Sequence, residues 1–113
     1  MKRLYLLSTD LDGEKVYKIG FTKNSVESRI KQLQTGNVSI IEIDFVYEAD
    51  KYIVSIETRL HKQFDSKRIN GEWFDLNSDE VNSIPELCNK YYNMFVSLEN
   101  NSYLNGLKSK PFK

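Results

Sequence analysis

The spacing of apolar positions along the chain alternates between a period of two and a period near 3.6, and each change marks an element. Residues 2–9, KRLYLLST, and 15–21, KVYKIGF, read as paired strands, and the Asp12-Gly13 pair between them is the strongest hairpin signal in the chain. Asn24 followed by Glu27 has the spacing of a capping box. It opens a helix over 25–35 whose apolar stripe is Val26, Ile30 and Leu33, and Gly36-Asn37 ends it. In 39–47, SIIEIDFVY, the residues Ile41, Ile43 and Phe45 alternate with Glu42 and Asp44, which predicts a third strand with those three side chains on one face. A second helix is expected from Asp50 to Phe64 with the stripe Ile53, Ile56, Leu60 and Phe64. Asn70-Gly71 turns the chain into a short apolar strand, Glu72–Leu76. Pro85 suits the first turn of a helix, so Ser83 is the expected cap of a last helix running to Leu98. No repeat is visible.

The order strand–strand–helix–strand–helix–strand–helix predicts class α+β, a small mixed or antiparallel sheet covered by helices, with a C-terminal helix. A chain of 113 residues makes one domain, expected over 1–99, with 100–113 (NNSYLNGLKSKPFK) as a basic, flexible tail. Sixteen basic and sixteen acidic residues cancel, which excludes binding to nucleic acid or membrane by bulk charge alone. The spread is uneven, however, with a basic excess in the first third and around residue 60, so a local positive face remains open. One cysteine, Cys88, and one histidine exclude a disulfide framework and a Cys/His zinc site. No stretch approaches a membrane span, and the apolar run at Leu4–Leu7 is too short for a signal peptide, so a cytoplasmic location is expected.

Several charged residues fall where burial is expensive. Glu57 lies one turn from both Ile53 and Leu60, near the centre of the second helix's stripe, and His61 follows it at i+4. Arg29 flanks the first helix's stripe, while Tyr17 and Lys18 must face opposite sides of their strand. Each position has a plain structural reading. Glu57 can pair with Arg29, His61 can be a satisfied helix histidine, Tyr5 and Tyr17 can be strand core, and Trp73 with Phe74 can be core as well. The residues alone gather an acid, bases and tyrosines without naming a reaction.

Taken in order, LYLL at 4–7, VYKIGFTKNSVESRIKQLQTGN at 16–37, ETRLHKQF at 57–64 and GEWFDL at 71–76 resemble the GIY-YIG nuclease superfamily. The likeness is to its small branch found in phages and as the meiotically up-regulated gene type, often labelled a DNA-binding domain. The resemblance implies a three-stranded sheet, the N-terminal hairpin plus a third strand, flanked by helices and carrying a phosphodiesterase site. Carried over by position, Tyr5 falls on the tyrosine of the first motif half, in RLY rather than GIY. Lys18 stands where the second half has tyrosine, Arg29 matches the helix arginine, and Glu57 the metal-binding glutamate. The family's asparagine has no clean counterpart, Asn70 and Asn77 being candidates.

The implied activity is metal-dependent endonucleolytic cleavage of DNA, one strand being nicked per active site. Glu57 would hold Mg²⁺ (or Mn²⁺) and Arg29 would grip the scissile phosphate. Tyr5 would take a proton from water, its phenol lowered by Lys18 and Arg29, and His61 would assist the leaving group or hold a phosphate. Lys23, Lys31, Lys62 and Arg68, with Arg29, are the expected DNA contacts, and Lys108, Lys110 and Lys113 can add to them. The partner is DNA, the unit a monomer or homodimer, and the setting a phage or mobile element. The alternative is a DNA-binding module of the same fold with little or no catalysis.

Overall fold

The computed structural model describes residues 1–36 and 39–109, and side chains as far as Asn101. The N-terminal hairpin pairs β1 (Arg3–Leu11) with β2 (Glu14–Thr22) through Asp12-Gly13, both at positive φ. Two left-handed residues in succession are what a two-residue turn needs to match the strands' twist. After α1 (Val26–Gln34), β3 (Glu42–Glu48) pairs with the other edge of β1. Following α2 (Ile53–Gln63) and a single 3₁₀ turn, β4 (Arg68–Asn70) and β5 (Trp73–Phe74) form a small hairpin around Gly71 that docks on β2. The last element is α3 (Ser78–Ser109).

The fold is α+β, and every strand pair is antiparallel, in the order β3-β1-β2-β5-β4. Of the two expected arrangements, mixed or antiparallel, the sheet takes the antiparallel one. Its three long strands are extended by β5 and by β4, which the Asn70-Gly71 turn signal had concealed.

Alternation along β1 divides the interior in two. Leu4 and Leu6 join Ile19, Ile56, Leu60, Phe74, Ile84 and Cys88 under α2 and α3, while Tyr5 and Leu7 pack with Val26 and Ile41 under α1. The third strand departs from simple alternation. Its register slips between Leu6, opposite Phe45, and Leu7, opposite Ile43. That bulge at Asp44 turns Ile41 and Ile43 toward the α1 side and Phe45 and Tyr47 toward the other, so the three residues expected on one face are split.

Helix ends account for the remaining differences. Ser25, not Asn24, caps α1, its hydroxyl accepting from the Ser28 amide at 3.1 Å. The expected stop at Gly36-Asn37 falls partly outside the described residues, since Asn37 is not among them. α3 starts at Ser78 rather than beyond Ser83, because Asn77 and Glu80 form a reciprocal capping box (2.8 and 2.9 Å). Ser83 instead donates to the Glu80 carbonyl, and Pro85 sits inside the helix. The helix packs on the core through Ile84, Cys88 and Tyr91 and continues to Ser109. Among the described residues no helix is long and apolar enough to cross a membrane.

Candidate active site

Gly20 is the point around which the site is organised. It pairs with Tyr5 across the β1–β2 hairpin, and the Tyr5 ring lies over it. A Cβ on Gly20 would stand 2.6 Å from the Tyr5 hydroxyl oxygen and 2.9 Å from Glu72 Oε1, so those two oxygens flank one spot above bare backbone. Lys18, one row along the same face, places Nζ 3.0 Å from Glu72 Oε1 and 5.5 Å from the Trp73 ring centre. Tyr17 faces the opposite core, as the strand period requires.

From the side of α1, Arg29 donates through Nε to the Tyr5 hydroxyl at 3.4 Å and through Nη1 to Gln32 at 3.1 Å. It has no carboxylate partner among the described residues, so the anticipated Glu57–Arg29 ion pair is not formed. Glu57, from α2, is 9% exposed, and its Oε2 has no hydrogen-bond partner among the described residues. Burial first, and then the neighbouring Glu72 charge, push its carboxyl up to about 7, against the opposing pull of Lys18. The cost of a buried carboxylate is thus left uncompensated.

Tyr5 behaves differently from the expectation. Burial raises its phenol pKa, Arg29 partly offsets this, and Glu72 and Glu57 raise it further. The Lys18 charge is spent on Glu72 rather than on the phenol. His61 also has an assigned partner: the Ile19 carbonyl accepts from its Nε2 at 2.8 Å, and its ring meets Phe74 edge-on at 5.1 Å. Because the Ile19 amide donates to the Glu72 carbonyl at 3.1 Å, His61 and Glu72 brace the same residue of β2 next to Gly20. That bond directs the His61 Nε2 proton to the Ile19 carbonyl.

Tyr5, Lys18, Arg29 and Glu57 are therefore brought together, with His61 behind them. Glu72 is the member that residue-by-residue reading missed. Its signal was a carboxylate at the head of the apolar GEWF segment, visible only once β5 is seen to pair with Lys18. Glu57 and Glu72 are the two carboxylates near the spot. Among the described residues no group of three His, Cys, Asp or Glu side chains could hold a metal ion. An oxygen-seeking cation such as Mg²⁺, which keeps several waters, is compatible with two carboxylates. The orphaned Glu57 Oε2 is the observation that fits it.

The sequence matches the T5orf172 domain over residues 2–89. The chain belongs to this family. The match takes in every residue of the cluster, from Tyr5 to Glu72. No curated protein and no solved structure matches the chain. In this T5orf172 domain the expected DNA contacts are scattered. Lys23, Lys31 and Lys62 are exposed, Lys23 lining a separate hollow with Lys2 and Lys51 at the start of α2. Arg68 is exposed, bonds to Asp65 and the Gly71 carbonyl, and lies over Phe74. Asn77 is consumed in capping α3, whereas Asn70 remains exposed on β4. The side chain of Lys108, and Lys110 and Lys113 altogether, lie outside the described residues.

Proposed function

We propose that the protein is a divalent-cation-dependent DNA endonuclease of the GIY-YIG type that nicks one strand per active site. The observation that carries this reading is the buried, unpaired carboxylate of Glu57 beside Glu72, within the cluster that holds Tyr5 and Arg29. A structural carboxylate in an apolar stripe would be satisfied, whereas one kept unpaired is explained by a ligand that arrives from outside. Glu57 and Glu72 would hold Mg²⁺ or Mn²⁺. The bound cation supplies Lewis-acid stabilisation of charge on the phosphate and cancels the carboxylate field that raises the Tyr5 phenol. Arg29, with no carboxylate partner among the described residues, grips the scissile phosphate, and its bond to Tyr5 fixes the direction of the guanidinium. Tyr5, once Arg29 and the cation's charge bring it to the phenolate, would accept the proton of the attacking water. Lys18, anchored on Glu72, keeps that carboxylate beside Gly20.

A second reading, a DNA-binding module with little catalysis, is favoured by one observation: Tyr5 is only 1% exposed, so water does not reach it in this conformation. A supercoiled-plasmid assay with Mg²⁺ or EDTA separates the two. The nuclease reading expects Mg²⁺-dependent open circles from the wild type and a loss on the order of a hundredfold in both Glu57→Gln and Arg29→Ala. Plasmid left intact by the wild type at every cation tried, with a gel shift retained by both variants, assigns the binding module.

A further inference from the structure

Along the face that carries Tyr5 and Gly20, the next row across the sheet is Leu7–Lys18–Trp73–Asn70, set by the pairings of β1, β2, β5 and β4. Beyond it, a cavity of about 370 Å³ opens between Thr9, Val16, Trp73 and Asn70, with Ile69 and Asp10 also lining it. The cavity lies about 13 Å from Gly20, four residues of extended strand, so it belongs to the same surface as the cluster. Trp73 joins the two, carrying the Lys18 ammonium and lining the cavity.

Its chemistry differs from that of the phosphate site. The charged side chain in its lining is acidic, Asp10, which repels phosphate, and the nearest cation, Lys18, is already paired with Glu72. What remains is an indole, aliphatic walls including Ile69 (46% exposed), and the Asn70 side chain, which makes no hydrogen bond to any described residue. A flat apolar platform with one exposed amide at its rim suits a nucleobase, because every base has a π-face and an edge that presents donors and acceptors together. The volume is in the range of small-ligand sites. We infer that this cavity takes one unpaired nucleobase of the bound strand, stacked on Trp73 and held at its edge by Asn70. The inference rests on the nucleic-acid reading of the cluster and extends it, since a base bound here fixes which phosphate reaches Arg29.

Trp73 is the protein's one tryptophan, so intrinsic fluorescence reports on this site directly. The test titrates the intact protein, in EDTA so that no strand is cut, with a dye-labelled single-stranded hexamer and with an abasic hexamer of the same length. Fluorescence anisotropy follows binding in parallel with tryptophan emission. The expected result is quenching by the base-bearing hexamer alone, about tenfold weaker binding of the abasic one, and a several-fold affinity loss in Asn70→Ala at unchanged Tm. Anisotropy that rises equally for both hexamers with no selective quenching overturns the base site and leaves the phosphate-binding reading standing. No rise with either strand overturns the base site, and the plasmid assay with Mg²⁺ decides the nuclease reading separately.

Discussion

Glycine at position 20 is required by what lies above it rather than by its own dihedral angles. A methyl group there meets the Tyr5 hydroxyl at 2.6 Å and the Tyr5 ring carbon Cζ at 2.7 Å, and that ring, fully enclosed, has nowhere to retreat. Gly20→Ala is expected to cost about 1–3 kcal/mol, visible as a Tm lowered by several degrees, and to displace Arg29 from its bond to Tyr5. Glu57 carries a second residue-scale prediction. Its carboxyl is raised in the folded protein, so the native state holds a proton that the unfolded chain has released between about pH 4.5 and 7. Stability is therefore unaffected by this group below that window, falls as pH rises through it, and stays reduced above. At roughly 1.4 kcal/mol per pKa unit the penalty is on the order of 3 kcal/mol. Thermal melts of Glu57→Gln should match the wild type near pH 4 and exceed it by several degrees at pH 8. An equal Tm difference at both pH values would mean that Glu57 is not buried as a charge.

At the scale of elements, the start of α3 shows local chemistry overriding a helix breaker. Pro85 removes one amide and crowds the preceding turn, yet the helix passes through it from Ser78. The capping box of Asn77 and Glu80, with Lys67 on Glu80 at 3.2 Å, and the burial of Ile84 on the core offset that cost. Asn77→Ala should lower stability by about 1 kcal/mol and Pro85→Ala should raise it, both read from chemical denaturation midpoints. The strands, the apolar stripes and the buried position of Glu57 were legible because they depend on periodicity, which a sequence displays directly. The Asn77–Glu80 box is equally local and was present in the letters, but proline dominated the reading. Two features were not legible at all. The bulge at Asp44 depends on pairing with β1, and Glu72 reaches the site through pairing of β5 with β2, contacts between residues far apart in the chain. The partner of the Lys18 charge was hidden for the same reason.

For the molecule as a whole, zero net charge limits how far DNA binding can rest on phosphate contacts. Arg29, Lys23, Lys31 and Lys62 make no ion pair with the described residues, so affinity should fall with salt along a slope of log Kobs against log[salt] no steeper than about −4. A steeper slope would call for phosphate contacts beyond these four residues. The central claim is that the fold maintains an unsatisfied carboxylate at Glu57, facing Glu72, at a cost in stability, because a divalent cation completes it. The most direct measurement is a thermal melt at pH 8 of the wild type and Glu57→Gln, with and without millimolar Mn²⁺. The account predicts that Mn²⁺ raises the Tm of the wild type, that Glu57→Gln is already more stable without the cation, and that Mn²⁺ adds nothing to the variant. An equal Mn²⁺ response in the two proteins, or none in either, would contradict it.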